Sequence, residues 1–134
     1  MKDALKGLGK VGIKVSSAGV SAISGFRPTL ETIEAMKREG VDVFDIQSKP
    51  VTDKMIKDSD LILVMAAHHR DDIIKRVPQA ASKTHILKEY GHSGDSSASR
   101  EDPDIADPIG KPMEIYEYTL GEIKREVNRI VRIL

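Results

Sequence analysis

One stretch of the chain, Leu61-Ile62-Leu63-Val64-Met65, is apolar at every position, and small and polar residues follow at once in Ala66, Ala67, His68 and His69. A short run with no polar alternation suits an inner strand of a parallel sheet that helices cover on both faces. In such sheets the ligand crevice lies beyond the carboxyl ends of the strands, which directs attention to Met65–His69.

The segments on either side repeat a helix–strand alternation. Met1, Ala4, Leu5 and Leu8 share one helical face before Gly7 and Gly9 close the segment. Val11, Ile13 and Val15 alternate with Gly12 and Lys14, which predicts a strand running into the small-residue turn Ser16-Ser17-Ala18-Gly19. Thr29 is placed to cap a helix that turns Leu30, Ile33, Ala35 and Met36 inward and stops at Gly40. Val41, Val43 and Ile46 predict a short strand before Ser48-Lys49-Pro50, and Thr52 caps a short helix through Lys57. After the apolar run come a helix over Arg70–Val77, ended by Pro78, and a modest strand over Thr84–Leu87. The closing helix, Glu114–Leu134, directs Ile115, Tyr118, Ile123, Val127, Ile130, Val131 and Leu134 toward the sheet. Short links make the crossovers parallel, so residues 1–134 are expected to form one three-layer α/β/α domain with a parallel sheet of about four strands.

Composition narrows the field. Twenty-one basic residues balance 21 acidic ones, and no basic stripe interleaved with aromatics is present, so neither nucleic acid nor an anionic membrane is an expected partner. No apolar run approaches the ~20 residues of a membrane span, and Met1 leads straight into a charged amphipathic segment rather than a signal peptide. A cytoplasmic protein is the expectation. The sequence has no cysteine, which removes disulfides, thiolate metal sites and every thiol nucleophile.

Glu89–Pro112 departs from the pattern, being rich in Ser, Gly, Pro and acids with hardly an apolar residue before Ile105. Loops of this length in small domains are functional or mobile. Within it, Asp104-Ile105-Ala106-Asp107-Pro108-Ile109-Gly110 is the most pointed motif. Pro108 bars Asp107 from helical geometry, and a carboxylate on a stiff turn can deliver a proton to a leaving group, although Asp-Pro also simply makes turns. Ser16–Gly19 can bind an anion through exposed amides, brace a neighbouring loop through its hydroxyls, or serve only as a turn. His68 and His69 diverge on a helix and cannot share a metal as an i, i+4 pair would; His68 is expected near the crevice and His69 at the surface. Tyr116 and Tyr118 read as packing residues. No metal site and no cofactor is expected from these residues.

Several pieces, taken in order, resemble the low-molecular-weight protein tyrosine phosphatase family, whose relatives include thioredoxin-coupled arsenate reductases. They are Val15-Ser16-Ser17-Ala18-Gly19, the Gly25–Pro28 loop, Gly40-Val41-Asp42-Val43, Ser48-Lys49-Pro50-Val51-Thr52, Asp60–Met65 with His69, Asp104–Gly110 and Tyr116. The resemblance implies hydrolysis of phosphotyrosine or small aryl phosphate monoesters through a phosphocysteine. Asp107 would then be general acid and base, and Ser17 would hold the phosphate loop in shape. It also exposes a departure: the family's opening strand and its Cys-x5-Arg phosphate loop have no counterpart here, and Ile46 stands where many members carry a histidine. The chain is therefore expected to be inactive as it stands. That strand normally lies between the Val11–Val15 and Leu61–Met65 strands. A segment absent from this sequence, closure of the two strands on each other, or a second molecule, such as a homodimer partner, would each account for the gap. The alternative to a phosphatase is a non-catalytic module that binds a protein or an anion through Ser93–Asp107. Arsenate reduction would require several cysteines.

Overall fold

The computed structural model describes residues 1–92 and 102–134, so part of the loop singled out in the sequence, residues 93–101, lies outside the described residues. The elements in order are α1 (Lys2–Gly7), α2 (Leu30–Arg38), α3 (Asp53–Asp58), β1 (Ile62–Val64), α4 (Ala67–Arg76), a 3-10 turn (Pro78–Lys83), β2 (Thr84–Ile86) and α5 (Met113–Val131).

β1 explains its own composition. It pairs in parallel with β2, placing Ile62 opposite Thr84, Leu63 opposite His85 and Val64 opposite Ile86. Successive side chains leave a strand on opposite faces. Ile62 and Val64 enter a core with Ile56 of α3, Ile73 of α4, Val77, Ala80 and Ile86. Leu63 and Met65 enter a second core with Leu87, Ile105 and Ile130 of α5. The strand is apolar throughout because both faces are covered, and the two cores make three layers. Burying each of these large side chains stabilises the fold by roughly 1.5–3 kcal/mol.

The predicted local signals hold where the partners are close in sequence. Thr29 accepts a hydrogen bond from the Thr32 N–H at 3.2 Å, and Thr52 accepts one from the Met55 N–H at 3.1 Å, each capping its helix. Gly40 ends α2 with φ +77, a conformation that only glycine adopts without strain. Pro78 follows directly on α4 and its C-cap, Val77.

Four expectations need correction. Of the four predicted strands, the two-stranded ladder holds only β1 and β2 among the described residues. At Val11–Val15, Gly12 turns the backbone with φ +83 and Val11 is 90% exposed. At Val41–Ile46, the Asp42 side chain accepts from the Phe44 N–H at 3.0 Å and the Ile46 N–H reaches the Val43 carbonyl at 3.1 Å, which makes a turn instead of a strand. The second correction is α4, which starts at Ala67, three residues earlier than the pattern predicts. Third, α5 presents a face rotated by one residue: Tyr116, Thr119, Ile130 and Val131 are buried, while Ile115 is exposed and Tyr118 is 68% exposed. Tyr116 is a packing residue, as expected, and Tyr118 is not. Leu30 likewise faces outward at 80% exposure.

Candidate active site

The carboxyl end of β1 is where separate segments meet. The Met65 carbonyl accepts a hydrogen bond from the Ile105 N–H at 2.8 Å, which lays the Asp104–Gly110 loop across the strand end. Ile105 is 5% exposed and packs with Leu87 and Ile130, so one apolar side chain in a polar loop anchors it to the core. Asp104 adds a polar anchor: its Oδ1 accepts from the Ala67 N–H at 2.8 Å, at the start of α4. Ala66 has no side chain able to cap, so the cap comes from 37 residues downstream. This explains the early start of α4.

A third anchor reaches the loop from Lys88, which follows β2. Lys88 donates from Nζ to the carbonyls of Asp102 and Asp104 at 3.3 and 3.4 Å, and pairs with Glu122 of α5 at 2.7 Å. Both side chains are mostly buried, at 17% and 12% exposure, so the pair is screened little. Asp102 Oδ1 accepts from the Asp104 N–H at 3.0 Å, tightening the entry to the loop.

Asp107 lies beyond these anchors and is exposed. Its Oδ1 accepts from the Ile109 N–H at 3.0 Å, an Asx turn that holds the carboxylate over the Pro108 corner. Gly110, with φ +76, and the Lys111 N–H to the Pro108 carbonyl at 2.9 Å complete the turn. A carboxylate on a fixed backbone at a strand end can give a proton to a departing group and take one from water.

The histidines reverse their expected roles. His69 is half-buried and His68 is exposed. Burial lowers the His69 pKa, and His68, whose ring centroid lies 4.1 Å away, pushes it the same way; Asp72, Asp104 and Asp107 pull it upward. His69 therefore belongs to the acid-loop neighbourhood and His68 to the surface. The sequence could not order the two, because burial here depends on a loop that arrives from elsewhere in the chain.

Ser17 is exposed, and no hydrogen bond holds its hydroxyl among the described residues. The turn that contains it is tethered by Gly19, whose N–H donates to the Lys49 carbonyl at 3.0 Å and whose carbonyl accepts from the Val51 N–H at 3.0 Å. No hydrogen bond among the described residues joins this segment to the acid loop. Ile46 is exposed. Among the described residues no group of three His, Cys, Asp or Glu converges as it would on a metal ion, and no helix is long and apolar enough to cross a membrane.

A parallel sheet between helical layers, with a carboxylate loop laid over the carboxyl end of β1, defines an α/β protein of the doubly wound kind. More narrowly, the chain belongs to the low molecular weight phosphotyrosine protein phosphatase family, whose sequence profile matches residues 1–134. It is 31% identical over 123 residues to a protein-arginine-phosphatase of Geobacillus stearothermophilus, covering 92% of this chain and 78% of that protein. It is 32% identical to the probable low molecular weight protein-tyrosine-phosphatase EpsP of Ralstonia solanacearum, covering 87% and 74%. The solved low molecular weight protein tyrosine phosphatase of T. tengcongensis superposes with a TM-score of 0.84 at 32% identity, covering 98% of this chain and 84% of that one. The resemblance and the α/β class read from the sequence are both borne out.

Proposed function

We propose that the acid loop is the proton-transfer half of a phosphate monoester hydrolase, and that the 134-residue polypeptide lacks the attacking half. The observation that carries this reading is the placement of Asp107 on a thrice-anchored loop at the end of β1, in a sequence without cysteine. In the family reaction a thiolate attacks phosphorus and the protonated aspartate passes its proton to the departing oxygen. The resulting carboxylate then takes a proton from the water that attacks the phosphocysteine, releasing phosphate and the thiolate. Asp107 fits both proton transfers, and Ser17 fits the role of a loop support. Without the thiolate and the arginine cradle, the groups that supply most of the rate are missing.

Phosphotyrosine proteins and small aryl phosphates are the substrate class this reading assigns once the loop is supplied. Names among the relatives add phosphoarginine, whose guanidine leaving group also needs a proton. A non-catalytic binding role is the second reading, favoured by exposed apolar side chains on neighbouring loops: Phe26, Phe44 and Ile46, with the Arg27 guanidinium over the Phe44 ring at 4.7 Å. Hydrolysis of p-nitrophenyl phosphate by the 134-residue polypeptide tests the proposal. No turnover above the buffer rate is expected; turnover that disappears in Asp107→Ala would overturn it.

A further inference from the structure

Taking Asp107 as the proton-transfer group, a reading on which this step rests, we infer that Lys88 and Glu122 are its positioning residues. Together they tie the entry of the acid loop to the helix that continues from its exit. The contacts form a closed ring. Residues 105–112 run from the strand end into α5, which begins at Met113. Lys88 Nζ donates to the carbonyls of Asp102 and Asp104, just ahead of that run, and the same ammonium meets the Glu122 carboxylate at 2.7 Å. Glu122 lies about two and a half helical turns beyond Met113 along α5. Both ends of the loop are thus fixed to one helix, and Asp107 stands between them.

Each member of the pair starts from a fixed backbone. The Leu87 N–H donates to the Val64 carbonyl of β1 at 2.8 Å, and the Leu87 carbonyl accepts from Arg129 Nη2 of α5 at 3.0 Å, so the residue before Lys88 is held from both sides. At the exit of the loop, Tyr116 is buried in the first turn of α5 and pins the start of the helix. The other two anchors, the Ile105 N–H on the Met65 carbonyl and the Asp104 carboxylate on the Ala67 N–H, bear on the entry. The Lys88–Glu122 contact joins entry to exit.

The chemistry of the pair says what it is for. Lys88 and Glu122 are mostly buried, and next to them in sequence stand Leu87 and Ile123 of the second core. Apolar residues of similar volume often stabilise such a site as well or better. They cannot donate to the Asp102 and Asp104 carbonyls, whereas an ammonium carries three hydrogens for partners in different directions. The pair therefore contributes geometry more than stability. Geometry decides a proton transfer, in which a displacement of about 1 Å can cost about a hundredfold in rate.

The test separates position from stability in the 134-residue chain itself. Lys88→Met should lower the urea midpoint, and Lys88→Met combined with Glu122→Leu, which strands no charge, should bring it back toward that of the natural chain. Amide exchange at Ile109, whose N–H donates to the Asp107 carboxylate, should be about tenfold faster than in the natural chain in both variants. Exchange at Ile56 of α3, which lies in the first core, should follow the midpoint instead. Ile109 exchange that is unchanged, or that recovers with the midpoint, would overturn the proposal. The same double variant in a chain extended by a Cys-x5-Arg strand should lower kcat for phenyl phosphate about tenfold with KM within about twofold, and lower it less for dinitrophenyl phosphate, whose leaving group needs no proton. An equal fall for both esters would also overturn it. An extended natural chain that turns over neither ester would instead contradict the phosphatase reading, while exchange at Ile109 still decides whether the pair holds the Asp107 turn.

Discussion

The Asp104 carboxylate and the Ala67 N–H are 2.8 Å apart, so a single side chain starts α4 and fastens the acid loop to the strand end. Asp104→Ala removes both functions. The expected loss is about 1–2 kcal/mol in urea unfolding, the range for an N-cap accepting from a partly buried N–H. Amide exchange at Ile105 should accelerate at the same time, because its bond to Met65 loses its neighbouring anchor. Asp104→Asn keeps an acceptor and should recover most of the stability. Unchanged exchange at Ile105 in the alanine variant would show that Ile105 packing alone holds the loop.

Lys88 and Glu122 form the most enclosed ion pair described in the structure. Lys88→Met leaves Glu122 without its partner in a site that water reaches poorly, and also removes donors to Asp102 and Asp104. A loss of about 2–4 kcal/mol is expected, somewhat below the range for a fully buried pair. Lys88→Met combined with Glu122→Leu should restore part of it, since no stranded charge remains. A double-mutant cycle by urea unfolding measures the coupling, and additive losses would contradict the arrangement.

His69 links stability to pH. Its folded pKa lies below the ordinary value, burial being the first cause, so the unfolded chain binds the proton more readily. Stability therefore rises with pH across this titration. The contribution is present above the unfolded value of about 6.5 and is lost as pH falls through it, levelling off below the folded value. Melting curves of the natural chain and His69→Gln should diverge between about pH 7 and pH 5, with the natural chain losing more. Parallel curves would remove His69 from the account.

The rotated face of α5 gives a two-residue comparison. Tyr116→Ala vacates a buried site and should cost about 3 kcal/mol or more, whereas Tyr118→Ala, on the exposed face, should stay within about 0.5 kcal/mol. Equal losses would return the helix to the phase that Ile115 and Tyr118 suggested.

What could be read in the sequence follows the distance over which each feature is decided. Thr29 and Thr52 cap helices three residues away, and Gly40 sets its own φ, so those boundaries were legible. β1 was legible because both of its faces are buried and nothing polar interrupts them. The start of α4 was not, since Asp104 supplies its cap from a separate segment. The phase of α5 was ambiguous because Ile115 with Tyr118 and Tyr116 with Thr119 both continue toward Ile123 and Ile130 at near-helical spacing, and only packing chooses. Val11–Val15 has the alternation of a strand, yet a strand requires a neighbour to pair with, and periodicity carries no information about one. At the site, the Asp107-Pro108 turn was visible as local chemistry. The anchoring by Lys88 and Glu122 and the burial of His69 were not, because each arises from contacts between distant segments.

The measurement that bears most directly on the central claim joins a strand carrying a Cys-x5-Arg loop ahead of Met1 and follows p-nitrophenyl phosphate hydrolysis with Asp107 intact and with Asp107→Asn. The account predicts turnover in the extended chain and a fall in kcat of about 10²–10⁴-fold in the variant, the usual share of general acid–base catalysis. Turnover that is indifferent to Asp107, or an extended chain that folds and binds phosphate without turning over ester, would contradict it.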